Sequence, residues 1–212
     1  GRIVEEQKRA SDLAATAERA WAAGVDLRPR PGPALGARAA GVRSILLAPG
    51  LVPLAALRFT GADLRRPECV LCAANGDVYA ADWRGGVMRI APDGTQQLAL
   101  GRHPDGGPLQ PNGIALASDG TFLVAHLGTD AGGVFRLGPH GSVTPVLTAI
   151  DGKPLPPTNY VIEDAAGRLW ITVSTWLSPR ARGYRADVAD GFVVLVDRRG
   201  ARIVADGLGY TN

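Results

Sequence analysis

The sequence lacks several features that would assign it to a functional class. The formal net charge of its 212 residues is only +3, and the arginines are scattered along the chain. This distribution does not predict a nucleic-acid-binding surface. The longest apolar candidate, residues 44–59, is interrupted by Pro49, Gly50 and Pro53, and it falls short of the roughly 18 consecutive apolar residues of a membrane span. We therefore expect neither a nucleic acid nor a membrane as a partner.

Cysteine is also scarce. The two cysteines, Cys69 and Cys72, form a lone C-x-x-C motif. A zinc site needs a second pair of ligands, and a redox motif needs a helix in a β-α-β unit, and the sequence offers neither context. We expect packed, reduced thiols, which favours a reducing, cytoplasmic compartment.

Glycine and proline, by contrast, are abundant, with 28 and 16 residues. They punctuate a unit that occurs three times, and each copy opens on an oxygen-bearing side chain, Glu68, Asn112 or Asn159. These residues are 44 and 47 positions apart, and a fourth copy begins at Tyr210-Thr211-Asn212. Because equivalent positions of a repeat share one structural setting, several of these side chains are expected to face a common centre.

Each copy has the same internal order of turns and β-rich runs. A turn glycine, Gly76, Gly120 or Gly167, precedes one run, and a second run opens on Gly86, Gly133 or Gly191. Tight turns such as Pro92-Asp93-Gly94 follow, and turns of this composition favour positive φ. Four short strands repeated every 40 to 50 residues or so are typical of propeller blades. The predicted fold is all-β: a partial propeller over residues 61–212, with about three blades and the start of a fourth.

Residues 1–60 do not share the repeat. The segment Glu5–Ala23 is rich in helix formers, with apolar residues four apart on one face, and predicts a helix. A proline-rich, extended linker follows at residues 28–33. The segment contains no catalytic pattern, and a peripheral helix, the tail of a preceding domain and a disordered region all remain open.

Four segments carry a resemblance to a known family. They are RRPECVLCAANGDVYAADWRGGVMRIAPDG at residues 65–94, PNGIALASDGTFLVAHLG at residues 111–128, PPTNYVIEDAAGRLWITVST at residues 156–175 and ADGFVVLVDRRGARIVADGLGYTN at residues 189–212. Together with their neighbours they resemble the early blades of the SMP-30/gluconolactonase/LRE-like family over residues 61–212. That family comprises six-bladed propellers with a divalent metal on the central axis, and several members hydrolyse lactones. The resemblance implies a metal-dependent hydrolase of a lactone or related ester, with Ca²⁺ favoured over Mg²⁺, Mn²⁺ or Zn²⁺.

The resemblance also implies roles for residues at the blade openings. It places metal ligands at Glu68, Asn159 and Asn212, and it makes Asn112 a candidate for substrate binding. The family's remaining ligand, an aspartate that doubles as general base, is expected beyond residue 212, so the catalytic residues are unknown. As alternatives, Glu68 pairs with Arg65 or Arg66, and the asparagines serve as turn residues.

The insertion at residues 174–189 is rich in arginine and is a candidate loop over the central opening. For an anionic substrate, the binding candidates are Arg180, Arg182 and Arg185. Pro157 and Tyr160 stand where the family often has arginine and aspartate, so the substrate preference is expected to differ from that of a typical gluconolactonase. His126, at the end of a β-rich run, is interpreted as a hydrogen-bonded structural histidine.

Three blades do not close a six-membered ring, and an unclosed propeller exposes strand edges. The chain is therefore interpreted as an N-terminal fragment that is inactive or weakly active by itself, with completion by self-association as an alternative. Because a fold does not fix a function, a non-catalytic propeller module that binds a ligand or a protein partner is the alternative to the hydrolase. Glu68 with Asn159 argues against a strictosidine-synthase-like propeller, which would lack the metal ligands.

Overall fold

The computed structural model describes residues 59–212, and from Thr60 to Asn212 the chain forms one compact unit. The helix predicted over Glu5–Ala23 and the linker predicted at residues 28–33 lie outside the described residues. Within the described part, the strands form three four-stranded antiparallel sheets and one two-stranded hairpin. The all-β prediction is therefore confirmed. No helix in this range has the length and apolarity needed to cross a membrane.

The strands follow the three copies of the repeat. The first sheet contains β1 (Val70–Cys72), β2 (Val78–Asp82), β3 (Gly86–Ile90) and β4 (Gln96–Leu100). The second contains β5 (Pro111–Leu116), β6 (Phe122–His126), β7 (Gly133–Leu137) and β8 (Val143–Leu147). The hairpin pairs β9 (Ala149–Ile150) with β10 (Lys153–Pro154), and the third sheet contains β11 (Thr158–Glu163), β12 (Leu169–Val173), β13 (Gly191–Asp197) and β14 (Gly200–Leu208). Two short 3-10 helices span Pro139–Gly141 and Arg180–Gly183.

Every four-stranded sheet is a meander in which consecutive strands pair antiparallel. The turns between the first two strands of each sheet use glycine in the left-handed region, with φ of +88° at Gly76, +81° at Gly120 and +73° at Gly167. A residue with a Cβ is strained at such angles, so glycine is favoured there. The repeated glycines of the sequence thus mark the position at which the chain turns from the first strand of each sheet to the second.

The core lies between neighbouring sheets. Because strand side chains alternate between the two faces, Val124 of β6 packs with Ala81 and Val87 of the first sheet. Its neighbours Leu123 and Ala125 pack with the third sheet, in a cluster that includes Val161, Ile171, Phe192 and Val194. The second sheet is therefore buried on both faces, as a blade within a propeller is.

Cys69 belongs to the core between the first two sheets, whereas Cys72 is exposed. The Cys69 thiol donates a hydrogen bond to the Ile114 carbonyl oxygen at 3.4 Å. Burial raises the pKa of this thiol, so Cys69 is protonated at neutral pH and behaves as a small core residue.

Candidate functional site

The first strands of the second and third sheets bring two of the predicted site residues into direct contact. Asn112 Nδ2 donates to Asn159 Oδ1 at 2.9 Å and to the Asn159 carbonyl oxygen at 3.2 Å. Both residues are buried, with relative exposures of 5% for Asn112 and 6% for Asn159. The blade-opening asparagines therefore form one polar cluster inside the fold.

Gly113 allows this close approach of β5 to β11. A Cβ at Gly113 would lie 2.7 Å from Tyr160 Cα and 3.0 Å from the Asn159 carbonyl oxygen. Backbone atoms cannot move away from such a contact without shifting the strand. Glycine at this position therefore positions Asn112 against Asn159.

Two further residues fix the orientation of the Asn159 side chain. Asn159 Nδ2 donates to Ser174 Oγ at 3.0 Å, and Ser174 Oγ donates to the Thr211 carbonyl oxygen at 2.7 Å. Since the hydroxyl proton of Ser174 is directed at Thr211, the hydroxyl accepts from Asn159, and the Asn159 amide oxygen is turned towards Asn112. We call these residues, Asn112, Asn159, Ser174 and Thr211, the amide relay.

The amide relay contains two buried oxygen atoms that take part in no hydrogen bond, Asn112 Oδ1 and Thr211 Oγ1. An unsatisfied buried acceptor costs roughly 1–3 kcal/mol. Hard cations such as Ca²⁺ bind amide oxygens of this kind. The buried Asn112 side-chain oxygen, whose amide nitrogen is held by Asn159, therefore fits an oxygen-coordinated cation.

Glu68 lies two residues before β1. Its side chain has a relative exposure of 46%, and Arg66 Nη2 contacts Glu68 Oε1 at 2.6 Å. The Arg66 guanidinium lies 4.1 Å from the Trp83 ring centroid, and Trp83 Nε1 donates to the Pro111 carbonyl oxygen at 3.0 Å. Through the side chains of Arg66 and Trp83, Glu68 is thus connected to Pro111, the residue before Asn112. The ion pair between Glu68 and Arg66 is present.

Asn212 is exposed and follows Thr211 of the amide relay. In residues 59–212, no group of three or more His, Cys, Asp or Glu side chains is arranged to hold a metal ion. The metal-ligand roles of Glu68, Asn159 and Asn212 stay predictions.

The three loop arginines differ in their contacts. Arg180 Nη1 lies 3.3 Å from the Tyr210 hydroxyl, and Arg182 Nη1 donates to the Ser178 carbonyl oxygen at 3.3 Å. Arg185 forms a two-point ion pair with Asp187, in which Arg185 Nε donates to Oδ1 at 2.8 Å and Nη2 contacts Oδ2. The charge of Arg185 is thus locally neutralised, whereas Arg180 and Arg182 form no ion pair with any residue of the range 59–212.

Tyr210 joins this loop to the amide relay, because it precedes Thr211. Its ring centroid is 4.3 Å from that of Tyr184, and its backbone adopts a φ of +42°. Burial, with a hydrogen bond to Tyr184, raises the pKa of Tyr210 to about 12. Tyr210 is therefore a neutral phenol at physiological pH.

His126 lies in a separate aromatic cluster. Its ring stacks on His103 with centroids 4.8 Å apart, and its Nδ1 accepts a hydrogen bond from the Gln110 N–H at 3.0 Å. Burial lowers the pKa of His126 to about 4. This histidine is neutral and hydrogen-bonded, which agrees with its interpretation as structural.

Sequence reasoning missed Ser174 and Thr211. Ser174 directly follows β12, and Thr211 precedes Asn212 in the fourth copy. A hydroxyl residue at a strand end is common and carries no pattern of its own. The available signal was the position of Ser174 directly after β12, the strand that pairs with β11, which contains Asn159.

Comparison with known proteins found solved structures of similar fold. A solved structure of a candidate gluconolactonase matches with a TM-score of 0.53 at 19% identity, covering 70% of this chain and 51% of that one. The structure of a gluconolactonase from Xanthomonas campestris, described as important in glucose secondary metabolic pathways, matches with a TM-score of 0.51 at 20% identity, covering 68% of this chain and 49% of that one. This chain thus spans about half the length of both structures.

No protein-family model matches the chain. No curated protein sequence matches it. At the identities of the two solved structures, the likeness shows the fold alone. It confirms, at that level, the predicted resemblance to gluconolactonase-like propellers.

Proposed function

We propose that this chain belongs to a divalent-cation-dependent hydrolase of a lactone or related ester. The observation that carries the proposal is the buried Asn112 side-chain oxygen, which lacks a hydrogen-bond donor while the amide nitrogen of the same side chain is held by Asn159. The two solved gluconolactonase structures are similar to this chain in fold. In this chain, Asn112 and Asn159 open neighbouring blades.

The donor set suits a hard cation. Glu68, Asn159, Asn212 and Asn112 would supply carboxylate and amide oxygens, which favour Ca²⁺, Mg²⁺ or Mn²⁺ over a thiolate-binding metal. When bound, such a cation would polarise the lactone carbonyl and stabilise the oxyanion that forms as water attacks.

The chain's own residues would position these donors. Ser174 holds the Asn159 amide with its oxygen turned towards Asn112, so that oxygen is oriented before a ligand arrives. Pre-oriented donors lose little entropy on binding.

Replacing Asn159 by alanine tests the cation site. We expect the affinity for Ca²⁺ or Mn²⁺ to fall at least about tenfold, because one oxygen donor is removed, and Ser174→Ala to cause a smaller loss because only donor orientation is affected. Calorimetric titration of each metal into the metal-free chain measures both effects. Asn75→Ala, an exposed turn asparagine, is the matched control.

Unchanged cation affinity in Asn159→Ala would contradict the proposed site. Because the general base is expected beyond residue 212, a pH-stat assay with D-glucono-1,5-lactone on a version extended to six blades, with and without added cation, then separates the two functions. Cation-dependent hydrolysis supports the hydrolase. Cation binding without hydrolysis favours a propeller module that binds a ligand or a protein partner.

Replacing Arg66 by glutamine tests the role of Glu68. The Arg66 guanidinium and a metal ion would compete for the same carboxylate, so we expect this substitution to raise cation affinity several-fold. Arg65→Gln is the control, because it removes the same charge from the neighbouring position without breaking the pair with Glu68. Equal titration curves for the two variants would indicate that Glu68 is not a ligand.

A further inference from the structure

The loop at residues 174–190 is fixed to the sheets at both ends. The Trp176 N–H donates to Asp190 Oδ2 at 3.1 Å, which closes the base of the loop. The Trp176 ring stacks on Phe192 with centroids 4.4 Å apart and an interplanar angle of 17°. Ser178 Oγ donates to Asp130 Oδ1 at 2.9 Å, which ties the loop to the connection between β6 and β7. The loop therefore has a preformed shape.

The 3-10 helix Arg180–Gly183 is pressed against the start of the loop. A Cβ at Gly183 would lie 2.9 Å from Thr175 Cβ. Thr175 follows Ser174 of the amide relay, so the helix that carries Arg180 and Arg182 contacts the residue next to the relay. Glycine at position 183 permits this contact.

Two guanidinium groups in this loop have no carboxylate partner. Arg180 contacts the Tyr210 hydroxyl and Arg182 the Ser178 carbonyl oxygen, and neither forms an ion pair within residues 59–212. Of the nearby acids, Asp187 pairs with Arg185, Asp190 accepts from the Trp176 N–H and Asp130 accepts from Ser178, as described above. Lys153, with its Nζ 5.8 Å from the Trp176 ring centroid, adds another positive charge to this side.

An aromatic surface adjoins the two arginines. Tyr184 has a relative exposure of 59%, and its ring packs against that of Tyr210. Tyr210 contacts Arg180 and precedes Thr211, whose carbonyl oxygen accepts from Ser174. Aromatic faces with a few placed polar groups are typical of small-molecule sites. Guanidinium groups bind carboxylates and phosphates through charge-assisted hydrogen bonds.

We propose that Arg180 and Arg182 bind an anionic group of the substrate, so that the preferred substrate is the lactone or ester of an acidic sugar or similar polyol. The assignment of this group to a substrate rests on the proposed function. Tyr184 provides an apolar surface beside the ring of the substrate. Arg185 makes no contribution to binding the anionic group because Asp187 neutralises its charge.

Binding of matched probe pairs tests this proposal. D-Glucaro-1,4-lactone carries a carboxylate that neutral D-glucono-1,4-lactone lacks, and D-glucose 6-phosphate carries a phosphate that D-glucose lacks. We expect calorimetric titration of the full chain to show at least about tenfold tighter binding of one anionic probe than of its neutral counterpart. The pair that shows the difference identifies carboxylate or phosphate as the recognised group.

Substitutions then locate the anion. Arg180→Gln and Arg182→Gln should each weaken the anionic probe about tenfold, with the neutral probe unchanged. The double variant Arg185→Gln/Asp187→Asn removes a guanidinium without changing net charge, and it should bind all probes as wild type does. Equal binding of anionic and neutral probes, or equal losses in the Arg185→Gln/Asp187→Asn control, would overturn the proposal.

Failure of this proposal is distinguishable from failure of the proposed function. Cation-dependent lactone hydrolysis with no preference for an anionic probe would retain the hydrolase and reject the arginine site. Arginine-dependent binding of an anionic probe without any hydrolysis would retain the site and reject the hydrolase.

Discussion

Replacing Gly113 by valine is expected to destabilise the unit from Thr60 to Asn212 by about 3 kcal/mol and to weaken cation binding at the same time. The Cβ alone would meet Tyr160 Cα at 2.7 Å, and the two methyl groups of valine add further overlap. Because the first obstacle is the backbone of β11, the strands have to separate. Separation would move Asn159 away from Asn112, which couples stability to the site.

Urea denaturation of the purified chain measures the loss of stability, and calorimetric titration with Ca²⁺ measures the loss of binding. Gly209→Val is the matched control, since a Cβ at Gly209 meets nothing within 4 Å. Wild-type stability in Gly113→Val would show that β5 and β11 are not held as closely as in this structure. Lost stability with wild-type cation affinity would place the cation away from the two asparagines.

Lowering the pH from about 7 to about 4 is expected to remove roughly 3 kcal/mol of stability through His126 alone. The pKa of His126 falls from 6.5 in the unfolded chain to about 4 in the folded one, because the ring is buried. Between these values the unfolded state binds a proton that the folded state does not. The contribution is therefore fully present above pH 6.5 and is lost as the pH falls through the folded pKa.

The surroundings of His126 also favour the neutral form of its ring, which agrees with a lowered pKa. The stacked His103 is a second imidazole, and its Nδ1 lies 2.6 Å from Asp105 Oδ1. A positive charge on His126 would be buried, and it would be repelled by His103 in its charged form. The attraction of Asp105 is the weaker effect. Protonation thus opposes the packed arrangement.

The measurement is urea denaturation from pH 7 to pH 4.5, a range in which His126 is expected to titrate before the carboxylates with lowered pKa values. His126→Asn retains an acceptor for the Gln110 N–H without an ionisable ring, so its stability should depend much less on pH than that of wild type. His140→Asn, at an exposed turn, is the control and should follow wild type. Parallel curves for wild type and His126→Asn would exclude His126 as the source.

Much of the fold was predictable because glycines mark the turns and the strand starts in each copy of the repeat. Gly86, Gly133 and Gly191 each open the third strand of a sheet, as their spacing predicts. The alternation of apolar residues then determines which side chains face each neighbouring sheet. The helix predicted over Glu5–Ala23 is untested by residues 59–212 and stays a prediction.

The site was less predictable, because its contacts join residues far apart in the chain. The spacing indicates that Asn112 and Asn159 occupy equivalent positions, but it does not show that one amide donates to the other. A local contact also distinguishes the three arginines of one loop, which look alike in sequence: Asp187, two residues further along the chain, neutralises Arg185. The pairing of Glu68 with Arg66 follows from a local turn in which Arg66 has a φ of +51°.

The hydrogen-bond lengths of the amide relay also depend on the distance between neighbouring blades. Its hydrogen bonds pass from the second sheet to the third and on to the start of the fourth copy of the repeat. A rotation between neighbouring blades, even one caused by a substitution in the outer core, would lengthen one of these bonds. Ligand affinity at the centre would then change without any change in a contacting residue. Amides that bridge neighbouring sheets in this way would couple the spacing of the sheets to binding at the proposed cation site.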